Sequence, residues 1–295
     1  MAIKKKRDLI KGIGITVFVI VALVTVLQNH FGLFDPDTEI GTDCYVDFID
    51  CGQGDSSLLV SDGVVTLIDA STRSEGEKVV DHLKKRGIEK INHFVLTHPH
   101  EDHIGGALEV LEAFDVENIY MKRPTAGTEP TSSVYINLLK KIKELGMMVH
   151  AVKPEDTFES GAFDMTIFGP VDEYKDLNDQ SIVLRAEYGK VSFIFTGDQE
   201  IPAEEELVSR FGKSLHSNVL KVGHHGSSTS SGNVFLDAVA PEYAVISCGI
   251  DNSYGHPHKE TISRFKKRNI TCFRTDEMGT ITFYTDGETI KEGTR

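Results

Sequence analysis

Residues 97–106 have the sequence Thr-His-Pro-His-Glu-Asp-His-Ile-Gly-Gly and directly follow a short apolar segment, His93–Leu96. The apolar segment has the character of a buried strand, and the ten residues after it lead into a predicted helix. His98 and His100 are two positions apart, so in an extended segment their side chains point the same way. Asp102 and His103 lie at the helix start, where their side chains can face a second metal position close to the first. Because imidazoles and carboxylates at this density are metal ligands, the sequence predicts a site for two adjacent metal ions.

Short segments rich in β-branched residues alternate with amphipathic segments on both sides of this run. The predicted strands are Tyr45–Ile49, Ser57–Val60, Val64–Ile68, His93–Leu96, Asn118–Met121, Met148–Val152, Met165–Phe168, Ile182–Glu187, Val191–Phe195, Asn218–Val222, Tyr243–Ser247, Thr271–Arg274 and Thr280–Tyr284. The predicted helices are Glu75–Arg86, His103–Phe114, Val134–Leu145, Pro202–Phe211 and Lys259–Lys267. This alternation predicts a layered α/β domain with its helices on the outside.

The spacing His-x-His-x-Asp-His after a strand resembles the signature of the metallo-β-lactamase superfamily. That resemblance implies an αββα sandwich with two metal ions at one edge of its two sheets. Asp69, which ends the predicted strand Val64–Ile68, matches the family's supporting aspartate, which holds the metal-binding loop. Asp198, at the end of a Phe-Thr-Gly-Asp sequence, matches the aspartate that bridges the two ions.

Four further segments resemble the ComEC branch of that superfamily, the metallo-β-lactamase-like domain of DNA-uptake channel proteins. They are Asp50–Asp55 (DCGQGD), Asn178–Ser181 (NDQS), Val222–Ser227 (VGHHGS) and Tyr254–His258 (YGHPH), followed by Arg274–Asp276 (RTD). The resemblance covers residues 45–285. ComEC proteins cross the membrane several times, whereas this chain has one predicted span. We therefore expect a free-standing ComEC-like hydrolase domain on a single anchor.

The superfamily's third-motif histidine has no clear counterpart between residues 103 and 198. His150 lies in that interval, but within an apolar strand, which favours a core or edge role for it. The pair His224 and His225 becomes the best candidate for the missing ligand. The resemblance thus implies that the first ion is held by His98, His100 and one of His224 and His225, the second by Asp102, His103 and His256, with Asp198 as the bridge. Histidine and aspartate ligands suit Zn²⁺, and Mn²⁺ is the alternative because one imidazole is missing.

Other polar residues near these motifs are candidates for chemistry and binding. The histidine of the pair that holds no metal would be free to donate a proton to a leaving group or hold a substrate oxygen. The candidate catalytic residues are accordingly Asp102, His224 and His225. Glycine- and hydroxyl-rich loops could supply donors to phosphate oxygens, although ordinary turns share that composition. The candidate substrate-binding residues are Gln53, Asp55, Asn178, Ser181 and Ser227.

The N-terminal residues predict a membrane anchor. Residues 12–34 are 23 consecutive residues without a formal charge, and at about 1.5 Å per residue they reach across a bilayer core of about 30 Å. The basic cluster at residues 4–7 favours a cytoplasmic N-terminus, with everything after residue 34 outside. A cleaved signal peptide is the alternative, but no small-residue cleavage pattern follows the apolar run. We expect a basic tail and single-pass anchor at 1–34, a linker at 35–43 and the hydrolase domain at 44–295.

The formal net charge of −14 belongs entirely to residues 44–295, because residues 1–43 carry five basic and five acidic side chains. The negative electrostatic potential of this domain is unfavourable for binding a polyanion such as DNA, unless bound cations and local basic residues reverse the potential within a cleft. Four cysteines fall outside the membrane in the predicted topology, where disulfides are permitted. They all lie in strand-like apolar segments, so buried free thiols are an equal alternative: Cys44, Cys51, Cys248 and Cys272.

Three functions are compatible with these features. The first is a phosphodiesterase, most simply a metal-dependent nuclease that acts on DNA outside the membrane during DNA uptake. The second keeps the metal site but acts on a phosphoester of the cell envelope or on a small lactone or lactam, since one fold supports many reactions. The third is a non-catalytic subunit of an uptake complex. The nearly complete ligand set favours an enzyme, and the resemblance to DNA-uptake proteins favours the nuclease.

Overall fold

The structure, a computed structural model, describes residues 43–124 and 126–293. Its strands are β1 (Tyr45–Phe48), β2 (Ser57–Ser61), β3 (Val64–Ile68), β4 (Lys90–Leu96), β5 (Asp115–Lys122), β6 (Val149–Val152), β7 (Thr157–Ser160), β8 (Phe163–Gly169), β9 (Val183–Tyr188), β10 (Val191–Phe195), β11 (Val219–Lys221), β12 (Tyr243–Ile246), β13 (Thr271–Arg274), β14 (Ile281–Thr285) and β15 (Ile290–Gly293). Its α-helices are α1 (Gly76–Lys85), α2 (Glu101–Ile104), α3 (Ala107–Ala113), α4 (Ser133–Glu144), α5 (Ile201–Phe211), α6 (Asn233–Val239), α7 (Lys259–Lys267) and α8 (Thr275–Met278).

The strands form two sheets that pack face to face. One sheet has the order β15-β14-β1-β2-β3-β4-β5-β6, and the other has the order β13-β12-β11-β10-β9-β8-β7. Strand β1 shows how the sequence specifies this packing, because its side chains alternate between two apolar environments. Val46 and Phe48 pack between the sheets, whereas Tyr45 packs on the helix side of its own sheet.

Three apolar clusters fill the spaces between four layers. The first joins the outer face of the eight-stranded sheet to α1, α3 and α4. The second lies between the two sheets, and the third joins the outer face of the seven-stranded sheet to α5, α6 and α7. Each sheet is therefore covered by helices on one face and by the other sheet on the other face. The αββα sandwich predicted from the sequence is confirmed.

Parallel strands in both sheets position the residues of interest. Strands β3, β4, β5 and β6 run parallel in one sheet, and β10, β11, β12 and β13 run parallel in the other. The segments that follow β3, β4, β10 and β11 contain Asp69, residues 97–103, Asp198 and the pair His224–His225. Because the carboxyl ends of parallel strands share one edge of a sheet, each sheet presents its polar residues along a single edge.

Two glycines divide the helix that the sequence predicted at His103–Phe114. A Cβ atom on Gly105 would lie 2.3 Å from the backbone nitrogen of Arg73, and one on Gly106 would lie 2.3 Å from the carbonyl oxygen of Ala70. No side chain fits at such distances, so only glycine allows this turn to approach the segment after β3. The predicted bounds were therefore wrong: the chain forms α2 and α3 with the glycines between them.

Several short elements were not predicted from the sequence. These are β7, β15, α6 and α8, which contain only four to seven residues each. Elements of this length cover too few residues for a hydrophobic period to be recognised. Their absence from the prediction did not change the predicted layers, because the long strands and helices define them.

The predicted membrane anchor at residues 12–34 lies outside the described residues. Within residues 43–124 and 126–293, no helix has the length and apolar character needed to cross a bilayer. The single-pass anchor therefore remains a prediction from the sequence.

Candidate metal centre

Asp69 supports the histidine-rich turn from the end of β3. Its carboxylate accepts hydrogen bonds from the backbone N–H of Thr97 at 2.8 Å and from the Thr97 hydroxyl at 2.6 Å. Nδ1 of His103 lies 2.8 Å from the same carboxylate. A hydrogen bond from Nδ1–H to Asp69 fixes the His103 tautomer and leaves the electron pair on Nε2 available. The supporting role that the sequence gave to Asp69 agrees with this geometry.

The available nitrogen of His103 faces a second carboxylate. Nε2 of His103 lies 3.1 Å from Oδ1 of Asp198, and both atoms are buried. Neither atom has a hydrogen-bond partner among the described residues. An unsatisfied buried polar atom costs about 1–3 kcal/mol, and a divalent cation between the two atoms would satisfy both. The donor set present here therefore fits a divalent metal ion.

Four ligand atoms converge at this point, one each from Asp102, His103, Asp198 and His225, and all lie within 4.8 Å of one another. Nε2 of His225 is 3.2 Å from Oδ2 of Asp102 and 3.7 Å from Oδ2 of Asp198. Nδ1–H of His225 donates to the carbonyl oxygen of Ser247 at 3.1 Å, which directs Nε2 toward the carboxylates. His225 therefore joins Asp102 and His103, a position that the sequence analysis had assigned to His256.

A second group of imidazoles lies around Asp198. Its Oδ2 atom lies 3.9 Å from Nε2 of His98 and 3.8 Å from Nε2 of His224. Nε2 of His98 also lies 3.1 Å from Nδ1 of His100. His98 thus lies near the carboxylate that His103 and His225 also approach, and His100 adjoins His98. Asp198 is thus central to both groups, as the bridging position requires.

His256 borders the metal centre without joining the four converging ligand atoms. Its ring centroid lies 5.7 Å from that of His224 and 6.2 Å from that of His225. Its backbone N–H donates to Oδ1 of Asn252 at 2.9 Å, and its own Nδ1 has no partner among the described residues. The geometry therefore supports His225 better than His256 as the histidine that shares an ion with Asp102 and His103.

Asp55, a candidate for substrate binding, lies beneath the site and is only 4% exposed. Nζ of Lys221 donates to its Oδ2 at 2.7 Å, and Nδ1 of His225 lies 3.3 Å from its Oδ1. The lysine is also buried, at 2% exposure. This geometry does not support the predicted contact between Asp55 and substrate, because both carboxylate oxygens face protein groups and Asp55 is not among the residues that line the cleft. Lys221, which was not among the predicted site residues, contacts the metal centre through Asp55.

Two other candidates for substrate binding are also internal. Ser181 is fully buried, and its hydroxyl accepts the backbone N–H of Asp198 at 3.0 Å, so it orients that aspartate. Ser227 is 4% exposed, and its hydroxyl lies 3.0 Å from that of Thr229. Neither serine is among the residues that line the metal cleft, so the geometry does not support the substrate contacts predicted for them.

An open cleft of about 330 Å³ gives access to the metal ligands. Its lining residues are Gln53, His100, Glu101, Asp102, Asn178, Asp198, His224, His225, Tyr254 and His256. Of the predicted substrate-binding residues, Gln53 and Asn178 therefore face this space. Glu101 and Tyr254 also face this space and were not predicted as site residues, although both lie within the motifs THPHEDHIGG and YGHPH.

His224 is partly exposed and has a carboxylate neighbour, Glu200, that was not predicted as a site residue. Its side chain is 25% exposed, and its Nδ1 lies 3.3 Å from Oε1 of Glu200. His224 and His225 both have left-handed backbones, with φ of 48° and 52°. A left-handed conformation in two consecutive non-glycine residues is strained. It turns the two rings so that His225 is buried and His224 faces the cleft.

The charges of the buried groups are strongly coupled. Burial would lower the pKa of His225, but the carboxylates of Asp198 and Asp55 outweigh it and raise that pKa to about 10. Burial would raise the pKa of Asp55, but Lys221 and His225 outweigh it and lower that pKa to about 2. Burial, reinforced by the nearby His103, holds the pKa of His98 well below its usual range. The carboxylates thus favour positive charge at the centre, which a divalent cation also provides.

Residues outside the centre settle two questions that the sequence left open. His150 lies on β6, an edge strand, with Nε2 3.1 Å from Oδ1 of Asn118 and its ring stacked on Tyr120. It does not line the metal cleft, so the core or edge role is confirmed. All four cysteines are free thiols, and the disulfide alternative is wrong for this structure.

The sequence model of the metallo-β-lactamase superfamily matches residues 49–250. This match covers more than half of the chain and includes the turn after β4, Asp198 and the pair His224–His225. The chain therefore belongs to the metallo-β-lactamase superfamily. The prediction of a metal-dependent hydrolase is confirmed at this level, and the Asp and His residues described above form its candidate metal site.

Two relatives place the chain near the competence proteins. ComE operon protein 3 of Bacillus subtilis (strain 168) is 32% identical over 257 residues, which are 81% of this chain and 32% of that protein. Competence protein ComA of Neisseria gonorrhoeae is 31% identical over 276 residues, which are 92% of this chain and 36% of that protein. The resemblance to the ComEC branch is confirmed, and the chain spans about a third of the length of these relatives.

The fold is also found in a solved structure. The metallo-β-lactamase fold protein YhfI from Bacillus subtilis superposes with a TM-score of 0.53 at 13% identity. The match covers 85% of this chain and 100% of that chain. At 13% identity, this similarity shows a shared fold and nothing further.

Proposed function

We propose that this chain is a dinuclear-metal phosphodiesterase, most simply a nuclease that acts on DNA outside the membrane during DNA uptake. The observation that carries the proposal is the convergence of Asp102, His103, Asp198 and His225 at the floor of an open cleft. The similarity of the chain to proteins named for competence supports DNA as the substrate. Anchoring through residues 1–34 and association with other uptake proteins are parts of the same proposal.

The ligands divide into two sets around one carboxylate. We assign Asp102, His103 and His225 to one ion and His98 and His100 to the other, with Asp198 shared. When bound, two divalent ions, Zn²⁺ or Mn²⁺, lower the pKa of water and offset negative charge on a phosphoryl group. Asp69 and Ser181 keep His103 and Asp198 in place for that purpose.

In this proposal His224 is the general acid, which donates a proton to the leaving group. Its side chain is open to the cleft, and Glu200 lies beside its Nδ1, 3.3 Å away. A carboxylate in that position orients the imidazole so that Nε2 faces the cleft and can deliver a proton to the departing oxygen. The hydroxyl of Thr229 donates to the same Glu200 oxygen at 2.8 Å, which fixes the carboxylate in turn.

Gln53 and Asn178 are the proposed contacts for phosphate oxygens. Both line the cleft, and both side chains carry amide donors. Neutral amides bind an anion without adding to the field of the protein. The ions would offset the unfavourable net charge of −14 where the phosphate binds, and the amides would add hydrogen bonds to its oxygens.

The proposal is tested with the full chain, purified and with its metal content measured. It is incubated with single-stranded DNA, double-stranded DNA and bis(p-nitrophenyl) phosphate in the presence of Zn²⁺ or Mn²⁺. We expect cleavage of DNA, and a loss of about a hundredfold or more in Asp102→Ala and Asp198→Ala, because each removes a metal ligand. Asp81→Ala, an exposed aspartate on α1, is the matched control and should retain full activity.

Other results would point to the remaining functions. Cleavage of the small diester without cleavage of DNA would reject the nuclease and leave a phosphoester of the envelope as the substrate. No turnover by a chain that holds about two ions would reject the enzyme and leave the non-catalytic subunit.

A further inference from the structure

Tyr254 places an aromatic ring at the rim of the metal cleft. Its side chain lines the cleft, yet the residue is 64% exposed. Its ring stacks on that of His256, with centroids 5.6 Å apart and planes 19° apart. One face of the tyrosine ring is therefore covered by the histidine, and the exposed area lies on the opposite face and edge.

The stacked rings lead from the rim toward the metal ligands. The ring of His256 is in turn nearly parallel to that of His225, at 26° and 6.2 Å. His225 approaches the carboxylates of Asp102 and Asp198. A planar group on the open face of Tyr254 would thus continue a series of three rings and lie close to a phosphate at the metal centre.

The loop that carries Tyr254 is held by hydrogen bonds. The Asn252 side chain donates to the carbonyl oxygens of Gly249 at 2.9 Å and of His256 at 2.7 Å. The backbone N–H of Gly249 donates to Oε1 of Gln53 at 3.1 Å, which ties the loop to the opposite wall of the cleft. A ring on a fixed loop loses little conformational entropy when a ligand stacks on it.

The charge of the cleft favours a contact with nucleic acid that does not depend on basic side chains. Of the described residues that line it, none is Lys or Arg, whereas Glu101, Asp102 and Asp198 are acidic. Affinity for a polyanion usually comes from basic side chains that neutralise phosphates. Here the bound ions would meet only the scissile phosphate, so the neighbouring nucleotide needs an uncharged source of affinity.

We propose that Tyr254 is a stacking platform for an unpaired base next to the scissile phosphate, so that single-stranded nucleic acid is the substrate. This inference rests on the proposed phosphodiesterase function. In a duplex both faces of each base are covered by its neighbours, whereas in a single strand a base is free to stack on a side chain. Stacking accepts any base, so the preference is for single strands and not for a sequence.

The test uses the metal-loaded full chain and two oligonucleotides of equal length. One is a single-stranded oligothymidylate, and the other has the same phosphates but an abasic site next to each scissile linkage. Tyr254→Leu keeps an apolar side chain but removes the ring. We expect it to lower kcat/KM on the oligothymidylate by about 5- to 150-fold and to leave kcat/KM on the abasic strand unchanged. Tyr254→Phe should retain wild-type values on both, because it keeps the aromatic face.

Two controls separate stacking from misfolding and from failure of the proposed function. Ile250→Ala alters another exposed residue of the same loop, 75% exposed, and should leave both values unchanged. Metal content and Tm should match the wild type in every variant. Equal loss on both strands, or no loss in Tyr254→Leu, would overturn the stacking platform while the nuclease stands. A wild-type chain that cleaves no nucleic acid would overturn both.

Discussion

A buried lysine lies beneath the metal centre, where a cation would not be expected. Lys221 ends β11, and its ammonium group donates to Asp55 at 2.7 Å and to the carbonyl oxygen of Val222 at 3.0 Å. Asp55 in turn lies against Nδ1 of His225. The lysine keeps Asp55 ionised, and the ionised aspartate favours the orientation of His225 in which Nε2 faces the metal site. Outer groups of this kind tune the ligands that they contact.

We predict that Asp55→Asn weakens metal binding by about 10- to 100-fold, the usual effect of removing an outer carboxylate. The amide cannot balance the charge of Lys221, so the variant also leaves a buried cation without its partner. Metal affinity is measured by competition with a chromogenic chelator. Asp50→Asn changes an exposed aspartate of the same segment and should bind metal as the wild type does.

The double variant Asp55→Asn with Lys221→Met removes both buried charges. It should recover thermal stability that Asp55→Asn loses, because no unpaired charge remains. Its metal affinity should stay low, since the group beside His225 is still absent. Wild-type metal affinity in the double variant would show that the aspartate acts on folding and not on the ligand.

The ends of secondary-structure elements were the most predictable part of the site. The turn after β4 was identified from its dense imidazoles and carboxylates after an apolar strand, whereas Asp69 after β3 and Asp198 after β10 were identified through the resemblance to the metallo-β-lactamase superfamily. The roles of Asp55, Ser181 and Ser227 were not predictable, because a motif does not reveal which way its side chains face. The left-handed backbone at His224 and His225 has no sequence signal either, yet it determines which imidazole is buried.

Helix α1 is fixed to the eight-stranded sheet by one buried carboxylate. Asp47 on β1 is fully buried and accepts hydrogen bonds from Arg86 at 2.6 and 2.7 Å and from Thr282 of β14 at 2.6 Å. Nε2 of His82 lies 2.7 Å from it. Near its other end, α1 contacts the metal-binding turn, because a Cβ on Gly106 would lie 2.6 Å from the Cα atom of Gly76. The position of α1 thus affects both the packing against the eight-stranded sheet and the metal-binding turn after β4.

We predict that Asp47→Ala lowers the free energy of unfolding by about 3–5 kcal/mol, because it strips a buried ion pair of one partner. Burial opposes ionisation of Asp47, but hydrogen bonds from His82 and Arg86 outweigh it and lower the pKa. A lowered pKa means that the wild-type contribution is present above about pH 4 and is lost as the pH falls through the folded-state pKa. Urea unfolding between pH 3 and 7 measures both effects.

The control is an ion pair on the surface. Glu117→Gln breaks the exposed contact with Lys90 and should leave the unfolding midpoint unchanged. If Asp47→Ala unfolded at the wild-type urea concentration, the carboxylate would not hold α1 to the sheet.

Across the whole molecule, the metal centre joins two sheets that have separate hydrogen-bond networks. Asp69, His98 and His103 follow strands of the eight-stranded sheet, whereas Asp198 and His225 follow strands of the seven-stranded sheet. Ions held by His98 and His103 on one side and by Asp198 and His225 on the other would connect the two halves of the sandwich. Such an ion binds only the folded chain, so it stabilises the whole fold by mass action.

We predict that removal of metal with EDTA lowers the Tm of the full chain. At a free metal concentration of about 100 times Kd, one site contributes about 2.7 kcal/mol, which corresponds to a shift of roughly 5–11 °C for a domain of this size. His225→Gln should abolish much of that shift, because its imidazole lies among the converging ligand atoms. His224→Gln should retain the shift and lose activity, since its proposed role is proton transfer. Differential scanning fluorimetry with metal analysis measures all three proteins, and the reverse pattern would exchange the roles of the two histidines.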